Sequence, residues 1–481
     1  MSTNTSSYQR KEEWQEHFEK LAPEYSNYRK RFSYFWNDNV RFINYFAHED
    51  LSILEVGCGT GDMLSQLKGS YKVGIDFSEA MIDEAKRHYP ELEFHVMDAE
   101  NIQLNKKFDV IIISNVIGFF ENVLDVLVPL QKLCHEHTRI IITYYNYLWE
   151  PLLRFAETIG IKKKSPLQSW LSHVDIANVL YLSGFETYRK NMRMLVPVYI
   201  PLVSWFLNKY IARLPIFKHF CLNQFVFARP MPPGANTDVS QKYSVSVVVP
   251  ARNESGNIEA AVLRTPQMGK GTELIFIEGN STDDTWETIQ RIYEKYKDTH
   301  NIKIGQQTGK GKGDAVRKGY DMATGDVLMI LDADLTVPPE DLPKFYHAIA
   351  SDKGEFINGS RLVYPMEKNA MRFLNTLGNK FFSMAFTWLL EQPIKDSLCG
   401  TKVLLREDYI RLKKNRKFFG EFDPFGDFDL LFGAYKLNLK IIDLPIRYRE
   451  RTYGDTNISR FKHGLILLRM CFYAAQKIKF W

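Results

Sequence analysis

Short apolar runs of strand length alternate with longer stretches of helical spacing along both halves of the chain. ILEVG (53–57), KVGID (72–76), EFHVMD (93–98), FDVIIIS (108–114) and RIIITYY (139–145) lie in the first half, and VSVVVP (245–250), ELIFIEG (273–279) and VLMILDAD (327–334) in the second. Strands alternating with helices predict βαβ units, and continuous β-branched runs predict largely parallel sheets covered on both faces. Between the strands FVFA (225–228) and VSVVVP stands PMPPGANTDVSQK, rich in proline, glycine and small polar residues. That composition predicts a linker over 230–242. A chain of 481 residues also exceeds what one core usually supports. The expected fold class is therefore α/β, with two doubly wound domains at 1–229 and 243–481.

Composition narrows the class. Apolar residues make up 45% and charged residues 25%, which is globular composition. The net charge of +5 is small for this length and does not by itself call for nucleic acid. No basic-aromatic patch accompanies the first half, so no nucleic-acid partner is expected. The five cysteines (58, 134, 221, 399, 471) lack CxxC spacing, so neither a zinc site nor a disulfide framework is indicated, and a reducing compartment is expected. The first residues are polar and are not a secretory signal. No run reaches the ~18 apolar residues of a spanning helix. Three stretches approach it: 194–217, 381–390 and the basic, aromatic, amphipathic 464–481. Together they predict peripheral membrane contact, with Lys and Arg toward headgroups and Trp and Phe toward acyl chains.

In parallel sheets ligands collect beyond the carboxyl ends of the strands, so chemistry is sought where the runs end. ILEV runs into GCGTGDM, with Gly57, Gly59 and Gly61. Glycines there let backbone pass close to a ligand. The next strand ends at Asp76, placed as a residue bonding ribose hydroxyls would be. The following two end at Asp98 and Asn115. A dinucleotide enzyme would show GxGxxG, and Gly57–Cys58–Gly59–Thr60–Gly61 has other spacing. Over about residues 50–145 this pattern resembles the class I S-adenosylmethionine-dependent methyltransferases, whose fold is Rossmann-like. The resemblance implies S-adenosyl-L-methionine as cofactor and Glu55, Gly57, Gly59, Gly61, Asp76, Asp98 and Asn115 around it. It makes Asp76 the ribose-binding acid and Asp98 the adenine-contacting one, and residues 21–32 resemble the family's helical cap. VIGFFENV after Asn115 contains no evident base. Tyr144, Tyr145 and His173 are candidates by residue type alone, and strand-end packing is the competing reading for the tyrosines.

The second half opens with a strand ending at Pro250, then a polar loop with Asn253 and Glu254. A second strand runs into Glu278 and NSTDDT. Lys310 and Lys312 stand in a glycine-rich basic loop suited to phosphate, ahead of the helix and strand that lead to Asp332 and Asp334. Alternate residues on an extended chain face opposite ways, so for both carboxylates to reach one ligand set the backbone must turn at Ala333. Hard oxygen ligands suit a divalent cation bridging diphosphate oxygens, and Mg²⁺ or Mn²⁺ takes only one or two protein carboxylates. PARNES, EGNSTDDT, TGKGKGDAVRKG, TGD, DADL and NGSR, in this order, resemble the inverting family 2 glycosyltransferases, of GT-A fold. The dolichyl- and polyprenyl-phosphate sugar synthases are the nearest likeness, over about 243–455.

By position, that resemblance puts Pro250, Arg252 and Glu254 beside base and ribose, and Glu278 where an acid binds the nucleoside. Lys312 and Asp332 fall at the sugar diphosphate, Asp334 at the metal and Arg361 near acceptor or phosphates. DSLCGTK (396–402) matches the acceptor loop. Asp427 and Asp429 of GDFDLL face sugar or acceptor, and Arg449 and Arg451 of RYRERTYGDTN are placed for phosphate. The second motif commonly begins with aspartate, and here Glu278 precedes glycine, which leaves a UDP- or GDP-linked donor open. A phosphate acceptor needs no strong base, whereas a hydroxyl acceptor would make Asp427 or Asp429 the base. The helix before DSLCGTK, over 373–391, corresponds to one that lies against the membrane in the family.

The expected protein is bifunctional. It transfers a sugar, metal-dependently and with inversion, from a nucleotide-sugar to a polyprenyl-phosphate or cell-envelope glycan acceptor. It also methylates a related substrate, in the cytoplasm and peripherally at the membrane inner face. Two rival readings are a glycosyltransferase with a non-catalytic cofactor-binding module, and a non-catalytic membrane-surface scaffold.

Overall fold

Each β-branched run pairs with neighbours as apolar as itself, which forces cover on both sheet faces. The computed structural model describes residues 7–166, 168–232, 238–361, 373–414, 428–446, 453 and 460–480. The chain divides into two units, Met1–Met231 and Pro232–Lys479.

In the first unit β1 (Ser52–Val56), β2 (Tyr71–Asp76), β3 (Glu93–Val96), β4 (Phe108–Ser114), β5 (Cys134–Tyr145), β6 (Phe185–Arg193) and β7 (Asn223–Pro230) form one sheet of order β3-β2-β1-β4-β5-β7-β6. Strands β1 to β5 are mutually parallel; β7 runs antiparallel to both β5 and β6. Because parallel crossovers are right-handed, the reversal of order between β1 and β4 sends successive helices to opposite faces. The core is aliphatic, with Ile53, Val56, Ile111, Ile113, Ile140 and Ile142 all buried. The polar sequence FETYRKNMR does not read as a buried strand, yet β6 carries buried Arg189 and Arg193. Asp38, on helix Ser33–Phe46, takes Arg193 through two bonds of 2.8 Å. Phe42 and Phe46 of the same helix lie over Phe227 and against the guanidinium groups of Arg193 and Arg189. Pairing and aromatic cover offset the desolvation of these charges.

The second unit repeats the logic. Its strands are β8 (Val245–Ala251), β9 (Thr272–Glu278), β10 (Asn301–Gln306), β11 (Val327–Ile330), β12 (Phe356–Ser360), β13 (Lys402–Leu405) and β14 (Ile441–Pro445), in order β10-β9-β8-β11-β13-β12-β14. β13 is antiparallel to β11 and β12; the other pairs are parallel. The order reverses between β8 and β11.

The three strongly apolar stretches meet different fates. Of 381–390, within helix Phe373–Leu390, Phe382, Phe386, Leu389 and Leu390 are buried, and Phe386 stacks on Phe432. This stretch is mainly core. Helix Arg460–Ile478 buries Leu467, Met470 and Ala474 and exposes Leu465, Leu468 and Phe472. Most apolar side chains of 194–217 are exposed. Among the described residues no helix is long and apolar enough to cross a membrane.

Candidate functional site

In both sheets the strand order reverses between the first and fourth strands, and a crevice opens beyond their carboxyl ends at such a point. In the first unit β1 and β4 meet there, with Val56 opposite Ile113. The turn after β1 holds Gly57, Gly59 and Gly61 at φ of +72°, +52° and +74°. A Cβ on Gly61 would lie 2.7 Å from the Phe94 ring, and one on Gly57 2.9 Å from Val116. Backbone N–H groups of Gly57 and Cys58 donate to the Ile75 carbonyl at 2.8 and 3.0 Å, locking the turn onto β2. Asp76, at the end of β2, accepts from Gly59 N at 2.8 Å and Ser78 N at 3.0 Å. Burial raises its pKa, opposed by the N–H groups of Ser78, Gly59 and Phe77.

Glu55 and Asn115 stand on either side of the reversal. Both are buried, and Glu55 Oε2 and Asn115 Oδ1 lack hydrogen-bond partners. Asn115 adopts φ +57°, uncommon for a residue with a side chain. Two inward-held polar atoms beside a turn that a Cβ would obstruct fit a small polar cofactor. Helix Ser7–Arg31 covers this edge. Tyr25 lies against Gly59, Ser26 Oγ donates to Asp62 at 3.0 Å, and Phe18 packs edge-on against Phe77 and Phe119. The cap thus extends well beyond 21–32. Lys11 of this helix pairs with Asp98 and Glu100. Nothing in the local sequence signals Lys11, because the pair joins residues far apart in the chain.

The methyl-transfer base candidates fare poorly. Tyr144 is buried with its hydroxyl donated to the Ser169 carbonyl at 2.6 Å, and burial pushes both Tyr144 and Tyr145 far up. His173 opens helix His173–Leu182 and is lowered by burial, then by Lys190. The packing reading of the tyrosines is the one the geometry favours.

Burial pushes the Glu55 carboxyl up to about 8, with Arg29 pulling against it and Asp76 and Asp62 adding to it. A raised acid is neutral in the fold where the unfolded chain is ionised. Its contribution to stability is therefore present below the ordinary value of 4.5 and is lost as pH rises toward about 8. Glu55→Gln is expected to remove that loss. Thermal scans of the full chain at pH 5 and pH 8 check it: the variant's midpoint relative to wild type should be higher by several degrees at pH 8 than at pH 5.

In the second unit β8 and β11 meet at the reversal, Val248 opposite Ile330. Strand β11 ends at Ile330, two residues short of the aspartates. The chain then turns over 332–335, with Leu335 N donating to the Asp332 carbonyl at 3.0 Å and Leu335 at φ +51°. The turn required at Ala333 is present. Lys312 Nζ lies 2.5 Å from Asp332 Oδ1. Gly400 of DSLCGTK closes on this pair: a Cβ there would overlap Asp332 Oδ2 and Lys312 Nζ. Asp334 Oδ1 accepts from Thr336 N at 3.1 Å and Thr336 Oγ1 at 2.9 Å. Half-buried Asp334 offers a hard oxygen donor, which suits Mg²⁺ or Mn²⁺ completed by phosphate oxygens and water. Among the described residues no group of three or more His, Cys, Asp or Glu is placed to hold a metal by itself.

The remaining residues sort by position. Pro250 is the penultimate residue of β8, which runs one residue further than the sequence pattern to Ala251, and Arg252 is exposed just beyond it. Glu254 is buried and accepts from Asn257 Nδ2 at 2.8 Å. Glu278 ends β9, buried, with Gln306 Nε2 at 3.4 Å. Arg361 is not turned out toward a ligand through its whole fork. Its Nε and one terminal nitrogen grip buried Asp396 at 2.7 and 2.8 Å, tying β12 to DSLCGTK. Asp429 is buried, 4.0 Å from Arg317, which also approaches Asp314 at 3.6 Å. Asp427, Arg449 and Arg451 lie outside the described residues. Tyr453, from the same basic stretch as the arginines, hydrogen-bonds Ser255 at 3.0 Å and covers Gly256. Asp396, Arg317 and Tyr453 all stand inside motifs that marked this half, but only their contacts assign them work.

Residues 246–412 match the family model for glycosyl transferase family 2, and residues 47–179 match a methyltransferase domain model. The second half is similar to a dolichol-phosphate mannosyltransferase of Pyrococcus furiosus, 30% identical over 224 residues, 44% of this chain and 59% of that protein. It is also similar to an undecaprenyl-phosphate 4-deoxy-4-formamido-L-arabinose transferase of Salmonella paratyphi B, 29% identical over 46% of this chain and 64% of that one. The chain thus spans about three-fifths of the length of these curated relatives. A Thermotoga maritima structure described as a methyltransferase dependent on S-adenosylmethionine aligns with 45% of this chain and 99% of its own, at 15% identity and TM-score 0.36. The chain therefore joins a Rossmann-like methyltransferase domain to a glycosyl transferase family 2 domain of GT-A type, two domains of transferase families.

Proposed function

We propose that the second unit transfers a sugar, with inversion, from a UDP- or GDP-linked donor to a polyprenyl-phosphate or cell-envelope glycan acceptor. The first unit, on this reading, methylates a related substrate with S-adenosyl-L-methionine. The observation that carries the first statement is the closure of Gly400 onto the Lys312–Asp332 pair beside Asp334, at the reversal of the sheet. A cation and two carboxylates converge there with the loop that the family uses for its acceptor. Names of the Pyrococcus and Salmonella relatives support a lipid-phosphate acceptor.

Asp334, fixed by Thr336, would hold Mg²⁺ or Mn²⁺, which when bound neutralises charge on the departing diphosphate. Lys312 contributes a second cation to the same phosphates once Asp332 turns to the sugar. Arg361 keeps the acceptor loop in place through Asp396 and so is a positioning residue. For a phosphate acceptor the nucleophile is already anionic, and Asp429 orients it; for a hydroxyl, Asp427 or Asp429 removes the proton. In the first unit, Glu55, Asp76 and Asn115 hold and orient the cofactor. With the Tyr144 hydroxyl held by the Ser169 carbonyl and both tyrosines pushed up by burial, the unit suits alignment of a nucleophilic acceptor ahead of proton removal. The same observation favours a second reading, in which this unit binds its cofactor without turnover. The four buried free thiols fit a reducing compartment, and on this reading the protein works in the cytoplasm, peripherally at the inner face of the membrane.

The test is release of nucleoside diphosphate from UDP- and GDP-sugars with Mn²⁺ or Mg²⁺, with and without a short polyprenyl phosphate. Release requiring both metal and lipid is expected. Release indifferent to lipid would redirect the acceptor to a hydroxyl, and no metal-dependent release from any donor would remove the glycosyltransferase reading.

A further inference from the structure

The methyltransferase unit carries an apolar surface that neither site uses. Its insertion 194–222, between β6 and β7, leaves Val198, Leu202, Trp205, Phe206, Ile216 and Phe220 exposed, with Leu202 at 80% and Ile216 at 74%. The segment after β5 adds exposed Leu148, Leu152 and Phe155; helix Glu150–Thr158 has no fully buried side chain, and Leu153 anchors it against Phe35, Met194 and Leu222. The two segments adjoin: Trp149 Nε1 donates to the Phe220 carbonyl at 2.8 Å. Soluble surfaces rarely leave contiguous apolar area beyond a few hundred Å² without a partner. Leu202, the most exposed of these residues, also sits at φ +62°, a costly conformation for leucine that points to function rather than packing.

Register fixes where this surface lies. Tyr145, the last residue of β5, pairs with Asn223, the first of β7, and Arg193, the last of β6, pairs with the same Asn223. Both segments therefore spring from the edge of the sheet at which the glycine turn sits. We propose that this edge docks on an anionic bilayer, so that the methyl acceptor is a membrane-borne amphiphile; the acceptor clause rests on the methyltransferase reading, and the docking does not.

Charge selects the bilayer over a second copy of the chain. Residues 194–222 include Lys209 and Lys218 outside the core and no Asp or Glu, and on the adjoining helix Glu150 and Glu157 are neutralised by Arg154 and Lys162. Lys209 Nζ stands 5.6 Å from the centre of the Trp205 ring, so cation and aromatic project together, as the headgroup boundary favours. A two-fold dimer through this patch would bring two surfaces of the same sign together, whereas anionic headgroups attract each lysine.

Co-sedimentation of the full chain with phosphatidylcholine vesicles, with and without phosphatidylglycerol, tests the docking. Wild type should partition onto the anionic vesicles and lose affinity with added salt. The triple variant Leu202→Asp, Phe206→Asp, Ile216→Asp should partition about a hundredfold more weakly. Leu468→Asp with Phe472→Asp, in the other unit, controls for binding carried there. Failure of wild type to bind, or binding unaltered by the triple variant, overturns the proposal. So does a wild-type dimer in size-exclusion that the triple variant splits, which would assign the patch to a second copy. S-adenosyl-L-methionine binding, measured separately by calorimetry, checks the fold of each variant; its absence in wild type would sink the methyltransferase reading and leave docking standing.

Discussion

Asp334→Asn is expected to lower metal-dependent release of nucleoside diphosphate by about a thousandfold, the scale on which loss of one preorganised charge-stabilising group is felt. Asparagine keeps the shape and the Oδ1 acceptor that Thr336 uses at 3.1 and 2.9 Å, so the turn after β11 should survive. What it removes is the negative charge, and with it the hard anionic ligand that a divalent cation requires. Release is to be measured against Mn²⁺ concentration for wild type, Asp334→Asn and Asp334→Ala. A variant with the wild-type metal dependence and rate would show that the cation, if used, is held elsewhere. Recovery only at high metal would identify Asp334 as ligand and nothing more.

Gly61→Val is expected to weaken S-adenosyl-L-methionine binding by about a hundredfold or more. Gly61 sits at φ +74°, and its missing side chain leaves room for the Phe94 ring 2.7 Å from where a Cβ would lie. A β-branched residue in the left-handed region costs about 1–2 kcal/mol before any clash is counted. The N–H of Gly61 also closes the turn on the Cys58 carbonyl at 3.0 Å, so the strain passes directly to Gly59 and its bond to Asp76. Titration calorimetry on the full chain reads the loss, with sugar-nucleotide turnover on the same preparation as a check on folding. Affinity within a few-fold of wild type would mean that this turn is not the cofactor's cradle.

Much of the architecture is legible along the chain because its strands are continuous apolar runs that only a two-faced sheet can bury. Gly57, Gly59 and Gly61, Asp76, and Asp332 with Asp334 were readable for a related reason. They sit at strand ends, where local spacing and the reversal of a parallel sheet coincide. Strand β6 was not readable, since its buried arginines depend on Asp38 and on aromatic rings contributed from 140 or more residues away. Arg361 read as a ligand-facing cation, whereas its partner Asp396 spends most of its fork on holding a loop. Tyr144 read as a base candidate by type, and only burial and the Ser169 carbonyl identify it as packing.

What the sequence by itself determined is the kind of chemistry each half can host. Glycine turns, strand-end acids and a lysine–glycine loop are local features, set by backbone conformations and functional groups that do not depend on distant residues. What only the tertiary structure decided is which of these groups meet. Lys312 reaches Asp332 beneath Gly400, Lys11 reaches Asp98, and the three apolar stretches divide into core, half-exposed helix and open surface. Hydropathy records how much a segment gains by leaving water, and packing alone decides whether the protein's own interior supplies that environment.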